Sequence, residues 1–155
     1  MRFLTAYFAA KEGTNVILTG SPRMKERPVK LLVEALISLG ADITYEEEKG
    51  FPPIHIKGRT LNKSFVSVEA NISSQYISAL MLIASSLPDG LEIELKGVVT
   101  STPYILMTLE LLQVLGIRGS FKGNRIMVEP NSGLAPKTVN IESDWSSASY
   151  YYSLA

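Results

Sequence analysis

The chain has 155 residues, 46% of them hydrophobic, and its 15 basic residues balance its 15 acidic ones. A balanced charge argues against non-specific nucleic-acid binding, which needs a basic surface. Cysteine is absent, which excludes disulfides, thiolate metal sites and cysteine nucleophiles. The longest unbroken apolar run, residues 79–84, is too short to span a bilayer.

Both ends of the chain have helical patterns. Residues 1–11 predict a helix that Gly13 closes, and Ser146 to Tyr150 begin another one. Because neither end is bounded by a loop, we expect residues 1–155 to be a single domain truncated at both ends. The first residues lack the pattern of a signal peptide, so a cytoplasmic location is expected.

The predicted elements between these ends follow one order twice. Two predicted helices begin with Pro and end with Gly, at Pro28–Gly40 and Pro103–Gly116, and both residues are common at those helix ends. The predicted elements are a strand at 16–20, a helix from Pro28 to Gly40, strands at 42–46 and 54–57, a strand at 65–68, a helix after Ser73, a strand at 93–97, a helix from Pro103 to Gly116, and strands at 118–121 and 125–128.

An internal repeat supports this order. Residues 66–74 recur as 139–147: a short alternating strand, an acidic residue, Asn or Asp, and a Ser-Ser pair that opens a helix. The sequence predicts an α/β (α+β) fold of βαβαββ units with inward-packed helices. Partial units span about 1–60 and 61–130, and residues 131–155 start or complete a further unit.

Ser73-Ser74-Gln75 stands where the strand at 65–68 gives way to a helix. The unpaired N–H groups and the positive dipole end of a helix N-terminus favour an anion, often a phosphate. Two hydroxyls and a carboxamide add uncharged donors. Ordinary N-capping by serine is the alternative interpretation.

Two further loops carry anion-binding groups before predicted helices. Residues 21–28 contain Arg23, Lys25 and Arg27, and residues 97–104 contain Ser101 and Tyr104. Arginine pairs bidentately with phosphate or carboxylate. The alternative interpretation of residues 21–28 is a solvated basic loop. For residues 97–104 the alternative is an ordinary helix cap at Ser101 and a half-buried aromatic ring at Tyr104.

Groups for acid–base chemistry are missing from these loops. None holds a paired carboxylate or a histidine, and Glu26 is expected to pair with its neighbouring cations. The single histidine, His55, is expected to face solvent from a strand, so no metal site is predicted. The pattern favours a chain that binds an anion and does not transform it.

The motifs together resemble one family, the 3-phosphoshikimate 1-carboxyvinyltransferases, also called EPSP synthases. The resemblance covers nearly the whole chain and rests on Met1-Arg2, residues 18–28 (Leu-Thr-Gly-Ser-Pro-Arg-Met-Lys-Glu-Arg-Pro), residues 73–76 (Ser-Ser-Gln-Tyr), residues 101–105 (Ser-Thr-Pro-Tyr-Ile) and residues 146–150 (Ser-Ser-Ala-Ser-Tyr). Phe3 departs from the pattern, because many members carry proline there.

The resemblance implies a shikimate-pathway enzyme that transfers the enolpyruvyl group of phosphoenolpyruvate to the 5-hydroxyl of shikimate 3-phosphate. It implies one domain of a two-domain fold, a monomer when full length, no cofactor and no metal. The matching positions imply that Ser73, Ser74, Gln75, Ser101 and Tyr104 bind shikimate 3-phosphate, and that Arg27 and Gln75 bind phosphoenolpyruvate. The missing second domain is expected to supply the acid–base groups, so this fragment is expected to be inactive alone.

Two other functions remain alternatives. The first is the related transferase that acts on UDP-N-acetylglucosamine, which typically carries a cysteine in the loop matching residues 21–27, where this chain has none. The second is a non-catalytic anion-binding module that keeps the fold.

Overall fold

The computed structural model describes residues 1–99, 102–131, 133–141, 143 and 145–154, with the side chain of Trp145 excepted. Six helices and seven strands lie in these residues. The helices are α1 (Arg2–Ala10), α2 (Pro22–Lys25), α3 (Lys30–Ser38), α4 (Ser74–Ala84), α5 (Thr102–Val114) and α6 (Trp145–Tyr152). The strands are β1 (Asn15–Leu18), β2 (Asp42–Tyr45), β3 (Ile54–Lys57), β4 (Phe65–Glu69), β5 (Leu91–Lys96), β6 (Gly119–Lys122) and β7 (Arg125–Val128).

Residues 65–128 form a complete βαβαββ unit. Its four-stranded sheet has the order β4-β5-β7-β6. Strands β4 and β5 are parallel, with Val66 opposite Ile93, and α4 makes the crossover between them. Strand β7 pairs antiparallel with β5 and with β6, and a two-residue turn joins β6 to β7.

The preceding residues form a second sheet with matching connectivity. Its order is β1-β3-β2, and both pairings are antiparallel. Strands β1, β3 and β2 therefore take the places that β5, β7 and β6 take in the complete unit. This correspondence confirms the repeated architecture and the mixed α/β fold class.

Helix α4 lies at the centre of the core. Eight of its residues are buried, among them Tyr76, Ile77 and Leu80, so the helix is covered on nearly every side. It packs against α1 on one side and α5 on the other. The sheet strands turn alternate residues inward, as Leu91, Ile93 and Leu95 of β5 show. The prediction of inward-packed helices is confirmed.

Four local predictions are wrong or incomplete. Residues 21–28 are not all loop, because Pro22–Lys25 form the one-turn helix α2. The helix predicted from Pro28 begins at Lys30, since the Val29 N–H is bonded to the Gly50 carbonyl at 2.9 Å outside the helix. Residues 139–141, the predicted strand of the second repeat copy, are not in a strand.

The fourth concerns His55, which is half-buried in β3 and does not point freely into solvent. Its imidazole Nε2 lies 2.5 Å from Asn15 Oδ1, and its Nδ1 lies 3.5 Å from a carboxylate oxygen of Glu46. Asn15 belongs to β1, and Glu46 directly follows β2.

The longest helix among the described residues is α5, with 13 residues. No helix in the part of the chain that the structure describes has the length and apolarity needed to cross a bilayer.

Candidate active site

The N-terminus of α4 carries two serine hydroxyls, those of Ser73 and Ser74. Ser73 occupies the N-cap position, but its side chain makes no capping hydrogen bond; its carbonyl accepts the Tyr76 N–H at 2.8 Å. Ser73 and Ser74 are half-buried, and Gln75 is exposed. The capping interpretation therefore does not account for the Ser73 hydroxyl, which is available to a ligand together with the positive end of the helix.

Two clefts open at this helix start, and they share Phe3 and Gln75. We call the first the arginine cleft; its lining residues are Met1, Arg2, Phe3, Met24, Arg27, Val29 and Gln75. We call the second the serine cleft; its lining residues are Phe3, Ser73, Ser74, Gln75, Ser78, Tyr104 and Met107. The start of α1, the segment between α2 and α3, and the starts of α4 and α5 thus meet around Gln75.

Among the described residues, the arginine cleft is lined by the guanidinium groups of Arg2 and Arg27 and by no carboxylate side chain. The Arg2 guanidinium donates a hydrogen bond to Gln75 Oε1 and lies over the Tyr76 ring, 5.1 Å from its centroid. A guanidinium can only donate, so the Gln75 oxygen faces Arg2 and the carboxamide nitrogen remains free to donate elsewhere. The cleft is therefore suited to an anion, with Arg27 exposed on its other wall.

The serine cleft is lined by residues with uncharged polar side chains, and two consecutive hydroxyl hydrogen bonds join α4 to α5 beside it. Thr108 donates its hydroxyl proton to the Tyr104 carbonyl at 2.8 Å. Its oxygen lies 2.9 Å from Ser78 Oγ, so Ser78 is the donor in that pair. These two hydrogen bonds fix α4 against α5 next to Tyr104, whose side chain is exposed at the cleft.

The structure brings most of the sequence-predicted site residues together. Ser73, Ser74, Gln75 and Tyr104 line the serine cleft, and Arg27 faces Gln75 across the arginine cleft. Ser101 lies outside the described residues.

The predicted role of Glu26 as the partner of its neighbouring cations is wrong for Lys25. That ammonium pairs instead with Glu47, at 2.9 Å. Of the cations in residues 21–28, the one that lines the arginine cleft is Arg27.

Sequence reasoning assigned no role to Arg2, Ser78 or Met107, which also line the clefts. For Ser78 a signal was available, because it follows Ser74 by four positions and therefore shares its helix face. For Arg2 and Met107 the contacts join distant parts of the chain, which spacing alone does not reveal.

The residues that line both clefts include no Asp, Glu or His among the described part of the chain. The geometry provides donors and positive charge for one or two anionic ligands.

Comparison with known proteins identifies the family. The family model for EPSP synthase (3-phosphoshikimate 1-carboxyvinyltransferase) matches residues 1–155. The chain belongs to the EPSP synthase family. That membership agrees with the motif resemblance found in the sequence.

Curated EPSP synthase family members are similar along the whole chain. A 3-phosphoshikimate 1-carboxyvinyltransferase from Bacteroides fragilis strain YCH46 is 46% identical over 157 residues, covering 100% of this chain and 38% of that protein. One from Actinobacillus pleuropneumoniae serotype 3 is 40% identical over 155 residues, covering 97% of this chain and 36% of that protein. The chain thus spans well under half the length of these relatives.

Solved structures share the fold. An EPSP synthase structure from Acinetobacter baumannii superposes with a TM-score of 0.78 at 23% identity, covering 97% of this chain and 32% of that one. At that identity the likeness concerns the fold, and it agrees with the mixed α/β architecture of two sheets described above.

Proposed function

We propose that the protein containing this chain transfers the enolpyruvyl group of phosphoenolpyruvate to the 5-hydroxyl of shikimate 3-phosphate and releases phosphate. The hydroxyl gives up its proton to a base as its oxygen bonds to the central carbon of phosphoenolpyruvate, while the methylene carbon gains a proton from an acid and becomes a methyl group. Loss of a proton from that methyl group and cleavage of the carbon–oxygen bond to phosphate then restore the double bond. Family membership and the two adjoining clefts support this reaction.

The shared wall of the clefts is the observation that carries the proposal. A transfer between two anionic molecules needs both bound side by side, and Gln75 belongs to both clefts. In this proposal Ser73, Ser74 and Tyr104 hold shikimate 3-phosphate in the serine cleft, and Ser101 also binds this substrate. Arg27 holds phosphoenolpyruvate in the arginine cleft, and Gln75 contacts both.

The share of this chain in catalysis is positioning and charge neutralisation. Donors fixed in place before the reaction stabilise developing charge without reorganising. The proton-transfer groups belong, in this proposal, to a second domain of the same polypeptide that closes over the clefts. The full-length protein is proposed to act as a cytoplasmic monomer without a cofactor or metal, and residues 1–155 alone are inactive.

Phosphate release by the full-length protein tests the proposal. We expect phosphate only when phosphoenolpyruvate and shikimate 3-phosphate are both present, with an enolpyruvyl ether as the second product by mass spectrometry. UDP-N-acetylglucosamine in place of shikimate 3-phosphate is the acceptor control. Turnover with that acceptor alone would favour the related transferase, and binding of both ligands without turnover would favour a non-catalytic anion-binding module.

A further inference from the structure

Tyr76 connects the two walls of the arginine cleft. It follows Gln75 in the first turn of α4, and only 5% of its surface is exposed. Its hydroxyl donates a hydrogen bond to the Pro28 carbonyl at 2.5 Å, across 48 positions of sequence. The residue after Gln75 is therefore bonded to the residue after Arg27.

The segment that carries Arg27 is short and held at three points. The Arg27 N–H bonds to the Met24 carbonyl at 3.2 Å, and the Val29 N–H bonds to the Gly50 carbonyl at 2.9 Å. Pro28 has no N–H, so its carbonyl is its one backbone hydrogen-bonding group. The Tyr76 hydroxyl donates to that carbonyl and thereby links the segment to α4.

We propose that Tyr76 is a positioning residue that sets the separation of Arg27 from Gln75 across the arginine cleft. The inference rests on the proposed function, since it assigns the consequence to phosphoenolpyruvate. The hydroxyl acts through Pro28 on the backbone of its neighbour Arg27. Without the Tyr76 hydroxyl, the segment that carries Arg27 moves more freely against α4. The Arg27 guanidinium is then less well preorganised for the bound anion.

The Tyr76→Phe variant separates the hydroxyl from the ring. Phenylalanine keeps the buried ring and the aromatic face beneath the Arg2 guanidinium, 5.1 Å away. The variant therefore removes the bond to Pro28 and leaves the packing of α4 in place. Tyr45→Phe is the matched control: the Tyr45 hydroxyl is also buried, but it bonds to no group within the described residues.

Steady-state kinetics of the full-length protein test the consequence. For Tyr76→Phe we expect the KM for phosphoenolpyruvate to rise about 3- to 10-fold, the range of one neutral hydrogen bond. The KM for shikimate 3-phosphate should stay within about twofold, because the serine cleft keeps its hydrogen bonds. Tyr45→Phe should leave both KM values within the same limit. Equal rises in both KM values for Tyr76→Phe would overturn the proposal.

Hydrogen exchange tests the tie itself, independently of the reaction. In Tyr76→Phe, amides of residues 21–31 should exchange faster, while amides of α4 should stay as protected as in the parent. Unchanged exchange in residues 21–31 would overturn the inference even if the kinetics changed. If the parent protein shows no enolpyruvyl transfer, the proposed function fails, and the exchange result still decides whether Tyr76 holds the segment.

Discussion

Arg27 is one of three cations within residues 21–28, and it alone among them lines the arginine cleft. Lys25 is engaged by Glu47, and Arg23 is exposed. Spacing in the sequence places all three before a helix and does not reveal which of them lines a cleft. That distinction depends on distant residues, because Lys25 pairs with Glu47 and Arg27 lines the same cleft as Gln75.

Replacing Arg27 with alanine in the full-length protein should therefore impair phosphoenolpyruvate use. We expect kcat/KM for that substrate to fall about 10- to 100-fold, the range of a hydrogen bond to a charged group. Arg23→Ala removes the same charge from the same segment and should change kcat/KM by less than about twofold. Equal losses in the two variants would show that only the net charge of the segment matters.

A second residue-scale prediction concerns Tyr45, whose hydroxyl is buried with no partner within the described residues. Burial raises the pKa of Tyr45 above 10.0, and the nearby Glu34 carboxylate and Tyr76 phenol raise it further. The folded state therefore holds the Tyr45 proton to higher pH than the unfolded state. By linkage, this tyrosine lowers the free energy of unfolding as pH rises above about 10.

Tyr45→Phe should remove that dependence. We expect a free energy of unfolding equal to that of the parent or higher by up to about 1 kcal/mol near neutral pH, because an unpaired buried hydroxyl is lost. The advantage of the variant should grow above about pH 10, which urea unfolding at several pH values would measure. Because the other tyrosines titrate in both proteins, a difference that stays constant with pH would contradict the prediction.

At the scale of elements, the junction of α1 and β3 depends on Gly58. Its N–H donates to the Thr14 carbonyl at 2.8 Å, directly after β3 ends. A Cβ at this position would overlap the carbonyl oxygens of Lys11 and Phe8 and the hydroxyl of Thr14. Backbone atoms at the end of α1 cannot move away without breaking that helix terminus.

Gly58→Ala should therefore destabilise the chain strongly. We expect the free energy of unfolding to fall by more than about 3 kcal/mol, as for other substitutions that force backbone overlap. Gly133→Ala is the matched control, because its added Cβ would have no described residue within 4 Å apart from its own chain neighbours; it should change stability by less than about 0.5 kcal/mol. Urea unfolding of the two variants would measure both, and a stable Gly58→Ala variant would refute the packing argument.

Element boundaries were predictable where local chemistry determines them. Gly40 and Gly116 end their helices with positive φ angles of 108° and 90°, as the sequence indicated. The start of α3 was not predictable, because Pro28 is a good first helical residue and the hydrogen bonds from Tyr76 to Pro28 and from Val29 to Gly50 join distant parts of the chain. Residues 139–141 repeat the pattern of β4, but a pattern does not supply a neighbouring strand.

At the scale of the whole molecule, the repeat was the strongest information in the sequence. The recurring order of strand, helix and two strands predicted that residues 16–57 and 93–128 share an architecture, and the two sheets confirm it. The site was predictable as a set of helix starts, because the predicted elements place Ser73 and Tyr104 at successive starts. The division into two clefts was not, since it depends on Phe3 and Gln75, which the fold brings together from positions 72 residues apart.

The common wall of the clefts also has a consequence for inhibitor chemistry. A single molecule with one anionic group for each cleft could occupy both clefts if its linker ran past the Gln75 side chain, which lines both. Linking the two groups makes the second binding event intramolecular, so affinity rises through effective concentration without any new contact. The linker should be short and should accept a hydrogen bond, because the carboxamide nitrogen of Gln75 is the donor that it would meet.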